Sequence, residues 1–441
     1  MSRCVSDMKK FFVSMGLIAA GTAGLRGAYA PAWNSMEASM WSVSGTLRGF
    51  YDDNYTTASS GPNRGSFGFE LSPQINLNVP LQQTEFGARY AYGLYYYQER
   101  EDLAGQNPID QSHQLDLWVD HAFTERWQAK VEDSFVVGQE PELLDPKTSL
   151  VTRTEGNNIS NTGSVGVNTI WTRLFTTAFN YQNTLFDYQN SGATLSNIAT
   201  NGASLAGEMN RIDQSVSLDL QWEVAPETVA FVGGAFEWVL YTGGELIAIN
   251  PTPFGLPYYY SDSRNSRSYF GYVGLSRSML ANLSFTGKAG IQYSDNYNDP
   301  LGSTSLNPYA DLSLIYTYLP GCYAQVGFTQ GENATDQISI DPNNGSIATY
   351  TESSTTYASL NHKLTPKLLG TIIGRWQHSI YNGGFYNNEA DDYYSLGLNL
   401  SYSFTPHISA DAGYNLDKYV SSIPNNSYTR NRVYLGVTAA Y

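Results

Sequence analysis

The sequence predicts an all-β fold: one transmembrane antiparallel up-and-down barrel of about 18 strands, with 16 as the nearest alternative count. Three observations carry this. Apolar residues recur at every second position, as in Tyr394, Leu396, Leu398, Leu400, Tyr402 and Phe404, over stretches of about 10 to 12 residues that suit a tilted crossing of a hydrocarbon layer. Short turns, most of them bearing proline, alternate with long polar loops throughout residues 41–441. Helical periodicity is missing, and beyond the N-terminus no run approaches the ~18 apolar residues of a spanning helix. A mean hydropathy of -0.32 is compatible, because half of each barrel strand faces water and long loops dilute the average.

The N-terminal element reads as a signal peptide over residues 1–30. Arg3, Lys9 and Lys10 form a basic head, Phe11 to Leu25 is mostly apolar, and Ala28-Tyr29-Ala30 offers small residues at a cleavage site before Pro31. Residues 31–40 then form a short periplasmic segment, and 41–441 the barrel. Removing residues 1–30 takes away Arg3, Lys9, Lys10, Arg26 and Asp7, so 24 Lys+Arg fall to 20 and 40 Asp+Glu fall to 39, a formal net of about -19. Such a chain is a poor partner for nucleic acid, whose binding rests on basic residues. Cys4 leaves with the leader, so Cys322 stands alone and backbone pairing and packing must hold the fold.

Within the barrel, short turns are expected at 79–82, 124–126, 225–228, 277–279, 319–321, 365–367 and 405–407. Proline at most of them fixes φ and cannot donate to a ladder, so it marks strand ends. The long connections are 52–65, 98–111, 138–160, 189–210, 242–267, 294–306, 330–349, 379–391 and 418–429, and they hold much of the Asn, Asp, Gly and Pro. Nine such loops, each closing one hairpin, imply an even strand number with both termini at the short-turn end. Residues 161–188 and 231–241 alternate weakly. The last strand is clear: Val433, Leu435, Val437, Ala439 and Tyr441 share one register, against Arg430, Arg432, Tyr434, Gly436, Thr438 and Ala440 in the other. A strand with one apolar face at this point suits closure against the first strand, which leaves no edge in lipid.

The spacing of Tyr434, Gly436, Ala439 and Tyr441 resembles the terminal assembly signal of outer-membrane barrels. Together with turns such as Phe404-Thr405-Pro406-His407 and Leu364-Thr365-Pro366-Lys367, it makes most of the mature chain similar to the outer-membrane families described as putative β-barrel porins. The resemblance implies a pore in the bacterial outer membrane without a shared catalytic motif. Lipid, the barrel-assembly machinery and small hydrophilic solutes are the implied partners, with a homo-oligomer compatible.

The register opposite the apolar positions holds the candidate lumen wall: Arg48, Glu70, Arg89, Asp116, Asp120, Lys130, Glu132, Asp219, Glu223, Lys288, Asp311, Arg375, Asp411, Arg430 and Arg432. Charges of both signs are costly in a dry interior, so they imply water or a polar plug. With eight acids against seven bases in this set, the wall is nearly balanced, and the loops carry the acidic excess. The loop 138–160, with Glu140, Glu142, Asp145 and Glu155 against Lys147 and Arg153, is a candidate constriction, and its bland alternative is an exposed surface loop.

Other constellations favour plain readings. The tyrosine runs 95–97, 258–260 and 393–394 border long loops, where an aromatic girdle is expected. The five histidines lack metal-ligand spacing; His378 is the best-placed base but has no nucleophile, and Gly202 to Gly207 (GASLAG) is not a nucleophile elbow. Asp52-Asp53-Asn54, Asp295 to Asp299 and Asp341 to Gly345 lack an EF-hand pattern. No catalytic, cofactor or metal site is expected. The expected function is passive diffusion of small hydrophilic solutes with weak cation preference; the alternative is a dedicated port for polysaccharide or another specific solute.

Overall fold

The computed structural model describes residues 40–59, 65–100, 107–138, 158–189, 203–250, 253, 257–335 and 337–441. The expected signal peptide, nearly all of the segment 31–40 and the charged residues Glu140, Glu142, Asp145, Arg153 and Glu155 of the candidate constriction lie outside them. In chain order the strands are β1 (Trp41–Asp52), β2 (Ser66–Pro80), β3 (Thr84–Tyr97), β4 (Ile109–Ala122), β5 (Trp127–Gly138), β6 (Asn158–Ile170) and β7 (Phe175–Tyr188). A short helix α1 (Leu205–Met209) precedes β8 (Arg211–Ala225) and β9 (Thr228–Tyr241), and a small hairpin follows, β10 (Leu246–Ile249) with β11 (Tyr258–Tyr260). Then come β12 (Ser266–Leu280), β13 (Leu283–Asp295), β14 (Thr304–Leu319), β15 (Cys322–Asn333) and β16 (Tyr350–Thr365). The last four are β17 (Leu368–Asn382), β18 (Ala390–Thr405), β19 (Ile408–Ser421) and β20 (Tyr428–Ala440).

Eighteen of these strands form one antiparallel sheet, each paired with the next in sequence except that β9 meets β12 across the β10–β11 hairpin. The sheet closes where β20 pairs with β1, with Gly436 opposite Arg48. Val43 and Tyr441 exchange two backbone hydrogen bonds of 2.9 and 2.8 Å at that seam, and the Trp41 and Tyr441 rings pack at 5.7 Å. Closure satisfies every strand edge in the ladder, which is the condition for a sheet in hydrocarbon.

The molecule is apolar outside and polar inside. On β20, Leu435 is 67% exposed and Val437 51%, while Thr438 in the opposite register is 4% exposed. A water-soluble sheet would bury the first set and expose the second, so the exposed belt is a lipid-facing surface.

The boundaries differ from the sequence expectation in three respects. The strands run 12 to 16 residues, longer than 10 to 12, because they continue past the hydrocarbon layer, where both faces turn polar and alternation fades. The β12–β13 turn lies at 281–282 rather than 277–279. A turn at 171–174 separates β6 from β7 without proline. Its Thr172 Oγ1 accepts from the backbone N–H groups of Leu174 and Phe175 at 3.3 and 3.1 Å, and Thr124, Thr365 and Thr405 do the same in their own turns. Threonine at the turn entrance, an ST-turn, is therefore the device these four turns share, with proline or without it.

Candidate functional site: the lumen wall

Strand pairing places all fifteen candidate wall residues in the inward register, alternating with the apolar belt. Several meet across strands. Arg48 on β1 donates from Nε to Asp411 on β19 at 2.8 Å and lies 3.2 Å from Glu70 on β2. To reach Asp411 the guanidinium crosses β20, which it does at Gly436: a Cβ there would stand 2.4 Å from Arg48 Cγ. The glycine of the terminal signal is thus the notch through which the seam is bridged. Arg89 pairs with Asp116 at 2.6 Å, and Asp116 also accepts from Ser134 at 2.7 Å. Lys130 and Glu132 are 2.6 Å apart. Arg430 and Arg432 both reach Asp52, at 2.5 and 3.2 Å, and Arg432 donates to the Tyr97 hydroxyl at 2.6 Å. Lys288 stands over the Tyr272 and Tyr309 rings at 4.9 and 5.2 Å, while the Tyr272 hydroxyl donates to Asp219 at 2.7 Å. Arg375 donates to Gln377 at 2.6 Å. Asp120, Glu223 and Asp311 share the register.

The register also brings in acids that the sequence reading did not place on the wall. Asp52, Glu85, Asp110, Asp213, Glu237, Asp391 and Asp417 face inward, joined by the bases Arg211 and Lys363. The wall is therefore acid-rich rather than nearly balanced. Four of those acids were hidden by strand ends: Asp52, Asp110 and Asp391 fall inside what read as loops, and Asp417 borders one.

Six inward glycines lie directly opposite an aromatic residue that leans into the space a side chain would fill. The pairs are Gly68 with Phe50, Gly87 with Trp118, Gly233 with Tyr272, Gly274 with Phe231, Gly327 with Tyr357 and Gly413 with Tyr434, and in each a Cβ would come within 2.4 Å of a ring atom. The rings consequently lie along the wall instead of projecting toward the axis. Tyr434 reaches across Gly413 to accept from Asn399 at 2.8 Å. Tyr434 and Gly436 of the terminal signal thus serve the wall, whereas Tyr441 packs at the seam rim and Ala439 faces outward.

The girdle reading of the tyrosine runs holds for Tyr96, stacked on Phe69, and for the exposed Tyr394. It fails for Tyr97 and Tyr393, which are buried inward, the latter donating to Asp417 at 2.7 Å. It also fails for Tyr258, Tyr259 and Tyr260, which form β11 inside a loop. At the long-loop end Tyr259 donates to the Gly345 carbonyl at 2.6 Å, and Ile247, Ala248, Tyr259 and Ile347 form an apolar cluster. Arg264 joins the Glu208 carbonyl at 2.9 Å and the Thr335 carbonyl. The loops following β7, β9 and β15 therefore interlock into one layer. His378 faces outward beside Asp392 at 3.1 Å. Among the described residues no three His, Cys, Asp or Glu side chains are grouped to hold a metal.

Residues 40–441 match the family described as Putative beta-barrel porin 2. No curated protein matches the chain. Similar solved structures include OccAB4 of Acinetobacter baumannii, at 12% identity and TM-score 0.43 over 92% of this chain and 100% of that one. Others are a BenF-like porin of Pseudomonas fluorescens Pf-5, at 10%, 0.44, 91% and 99%, and the ferric enterobactin receptor PfeA of Pseudomonas aeruginosa, at 10%, 0.45, 90% and 80%. The fold of this chain rests on its own strand register rather than on those likenesses.

Proposed function

The chain belongs to the Putative beta-barrel porin 2 family, a barrel of the bacterial outer membrane, and from that premise we propose that it passes small hydrophilic solutes by diffusion with a weak preference for cations. The observation that carries the proposal is the wall itself, acid-rich and with most of its basic groups already engaged. Arg48, Arg89, Arg430 and Arg432 each pair with a carboxylate of the same wall. A port for an anionic polymer would instead need a track of free Arg and Lys. An 18-stranded barrel leaves more interior than side chains fill, so hydrated ions and small solutes fit between such walls. Diffusion requires no catalytic group, and the proposal assigns none. Insertion by the barrel-assembly machinery through β20 is part of the same reading.

Reversal potentials across a planar bilayer under a salt gradient test it. Cation preference should be measurable near 0.01 M salt, where the Debye length is about 30 Å, and fade toward 1 M, where it is about 3 Å. A strong anion preference persisting at 1 M would overturn the proposal.

A further inference from the structure

Beyond the pair Ala310 and Gln330, strands β14 and β15 part. β14 runs on to Thr304 paired with β13 alone, and β15 runs on to Asn333 paired with β16 alone. At ~3.3 Å per residue and a tilt of ~40°, the parting lies about 23 Å above the short-turn end, at the top of an apolar band ~25 Å tall. From there β15 does not rise into solvent. The Glu332 backbone N–H donates to Gln292 Oε1 of β13 at 3.1 Å, and the Glu332 carboxylate accepts from Ser305 Oγ of β14 at 2.5 Å and from Asn307 Nδ2. Gln292, Ser305 and Asn307 share the inward register of Lys288 and Asp311. The end of β15 is therefore folded across the inner face of β14 as far as β13, and the Thr335 carbonyl beyond it meets Arg264, just before β12.

Residues 338–348 then turn back as a small arm. Ile340 and Ile347 pair across it, and the Asp341 N–H donates to the Ser346 carbonyl at 2.9 Å. On one side Ile338, Ile340 and Ile347 pack with Ile247, Ala248 and Tyr259 of the β10–β11 hairpin. On the other, the Phe385 N–H donates to Ser339 Oγ at 3.1 Å. Gly383 and Gly384, at φ 82° and 69°, pass so near that a Cβ would stand 2.3 Å from the Ile347 carbonyl oxygen and 2.5 Å from that of Ser339. The β9–β12 and β17–β18 connections are six strands apart in a ring of eighteen, a third of the rim, so an arm seated against both runs along a chord of the mouth. Buried Arg264 holds its base, donating to the Thr335 carbonyl and, at 2.9 Å, to the Glu208 carbonyl, with the guanidinium 4.6 Å over the Tyr241 ring.

We propose that this arm sets the size limit of the pore, with Arg264 and Glu332 as the residues that position it. The inference rests on the diffusion reading and adds the place where solutes are sorted. Residues 338–348 carry one acid and no base, and that acid, Asp341, accepts from the Asn343 backbone N–H and from its Nδ2 at 2.8 and 3.0 Å. A nearly neutral arm across the mouth obstructs by volume and leaves ion preference to the charged wall. Buried contacts with two connections, and a base tied to β13 and β14, make the arm a fixed part of the opening rather than a loosely held loop.

The test uses the full-length chain in planar bilayers and in vesicles that swell on sugar uptake. Replacing residues 338–348 by Gly-Gly should at least double single-channel conductance and raise the rate of swelling in raffinose relative to arabinose at least threefold, with the reversal potential under a salt gradient unchanged. Arg264→Ala should move conductance and sugar ratio the same way by a smaller step, and Arg264→Lys, which keeps a donor for one carbonyl, should recover part of it. Where the replacement gives no heat-modifiable folded band, Arg264→Ala and Glu332→Ala carry the test. The inference is overturned by a folded replacement with the conductance and sugar ratio of the wild type, by conductance that rises while the sugar ratio stays, or by Arg264→Ala and Glu332→Ala that both behave as wild type. A wild type that passes neither ions nor sugars, beside a replacement that passes both, would instead refute the diffusion reading and uphold the arm as the obstruction.

Discussion

Gly436→Ala probes the seam most directly. The added Cβ would stand 2.4 Å from Arg48 Cγ, 3.0 Å from the Leu47 carbonyl oxygen and 3.1 Å from Asp411 Oδ1. Arg48 is flexible and must swing away, and its 2.8 Å bond to Asp411 goes with it. Overpacking of this kind costs about 1–3 kcal/mol. Stranding one member of a fully buried ion pair costs about 3–5 kcal/mol, but the Arg48 and Asp411 side chains are 19% and 8% exposed and a wet lumen screens them. A total near 2–3 kcal/mol follows. Equilibrium urea unfolding of protein refolded into lipid vesicles measures it. In an Arg48→Ala background the largest clash and the pair are already gone, leaving only the Leu47 oxygen and Asp411 Oδ1, so the alanine should cost about 1–2 kcal/mol less there, a coupling of ordinary size for contacting residues. A Gly436→Ala cost that is zero, or identical in both backgrounds, would refute the notch.

Three further outcomes are expected. A cysteine at Asn343, in the loop between β15 and β16, should react with an impermeant thiol label on intact cells, and one at Lys367 in a short turn should not; the reverse would invert the barrel. Tyr272→Phe removes the hydrogen bond to Asp219 and should lower stability by about 1.5–3 kcal/mol, the worth of a bond to a charged group, with conductance little changed. Deleting residues 140–155 should raise single-channel conductance if that loop enters the pore as the sequence suggests. An unchanged conductance from a folded barrel would place it outside.

The architecture was legible because membrane strands carry a periodic signal that composition does not blur. Leu396 to Phe404 and Val433 to Val437 announce their registers without knowledge of any neighbour, and closure then requires nine long loops to mean eighteen strands. The weak places had physical causes. On β9, Phe231, Val239 and Tyr241 face inward, Phe231 against Gly274, so both registers look apolar. On β6 and β7, Asn161 and Asn183 face outward, so both registers look polar. On β9 alternation failed where a facing glycine, not water, was the environment of an inward ring.

The wall was legible as a register but not as a set of contacts. Arg48, Glu70 and Asp411 are separated by hundreds of residues or by a whole loop, and their meeting depends on which residue of β20 lies opposite which residue of β1. Shifting that pairing by one residue would put Leu435 in the notch and Arg48 against its side chain, so glycine at 436 is meaningful only after closure fixes the register. The same holds for the six ring-over-glycine pairs. Glycine and tyrosine are both abundant here, and abundance says nothing about opposition across a strand. The coupling between chain end and lumen wall is therefore a product of closure: Gly436, read first as part of an assembly signal, sets how Arg48 lies on the wall, and through it whether Asp411 keeps its ion-pair partner.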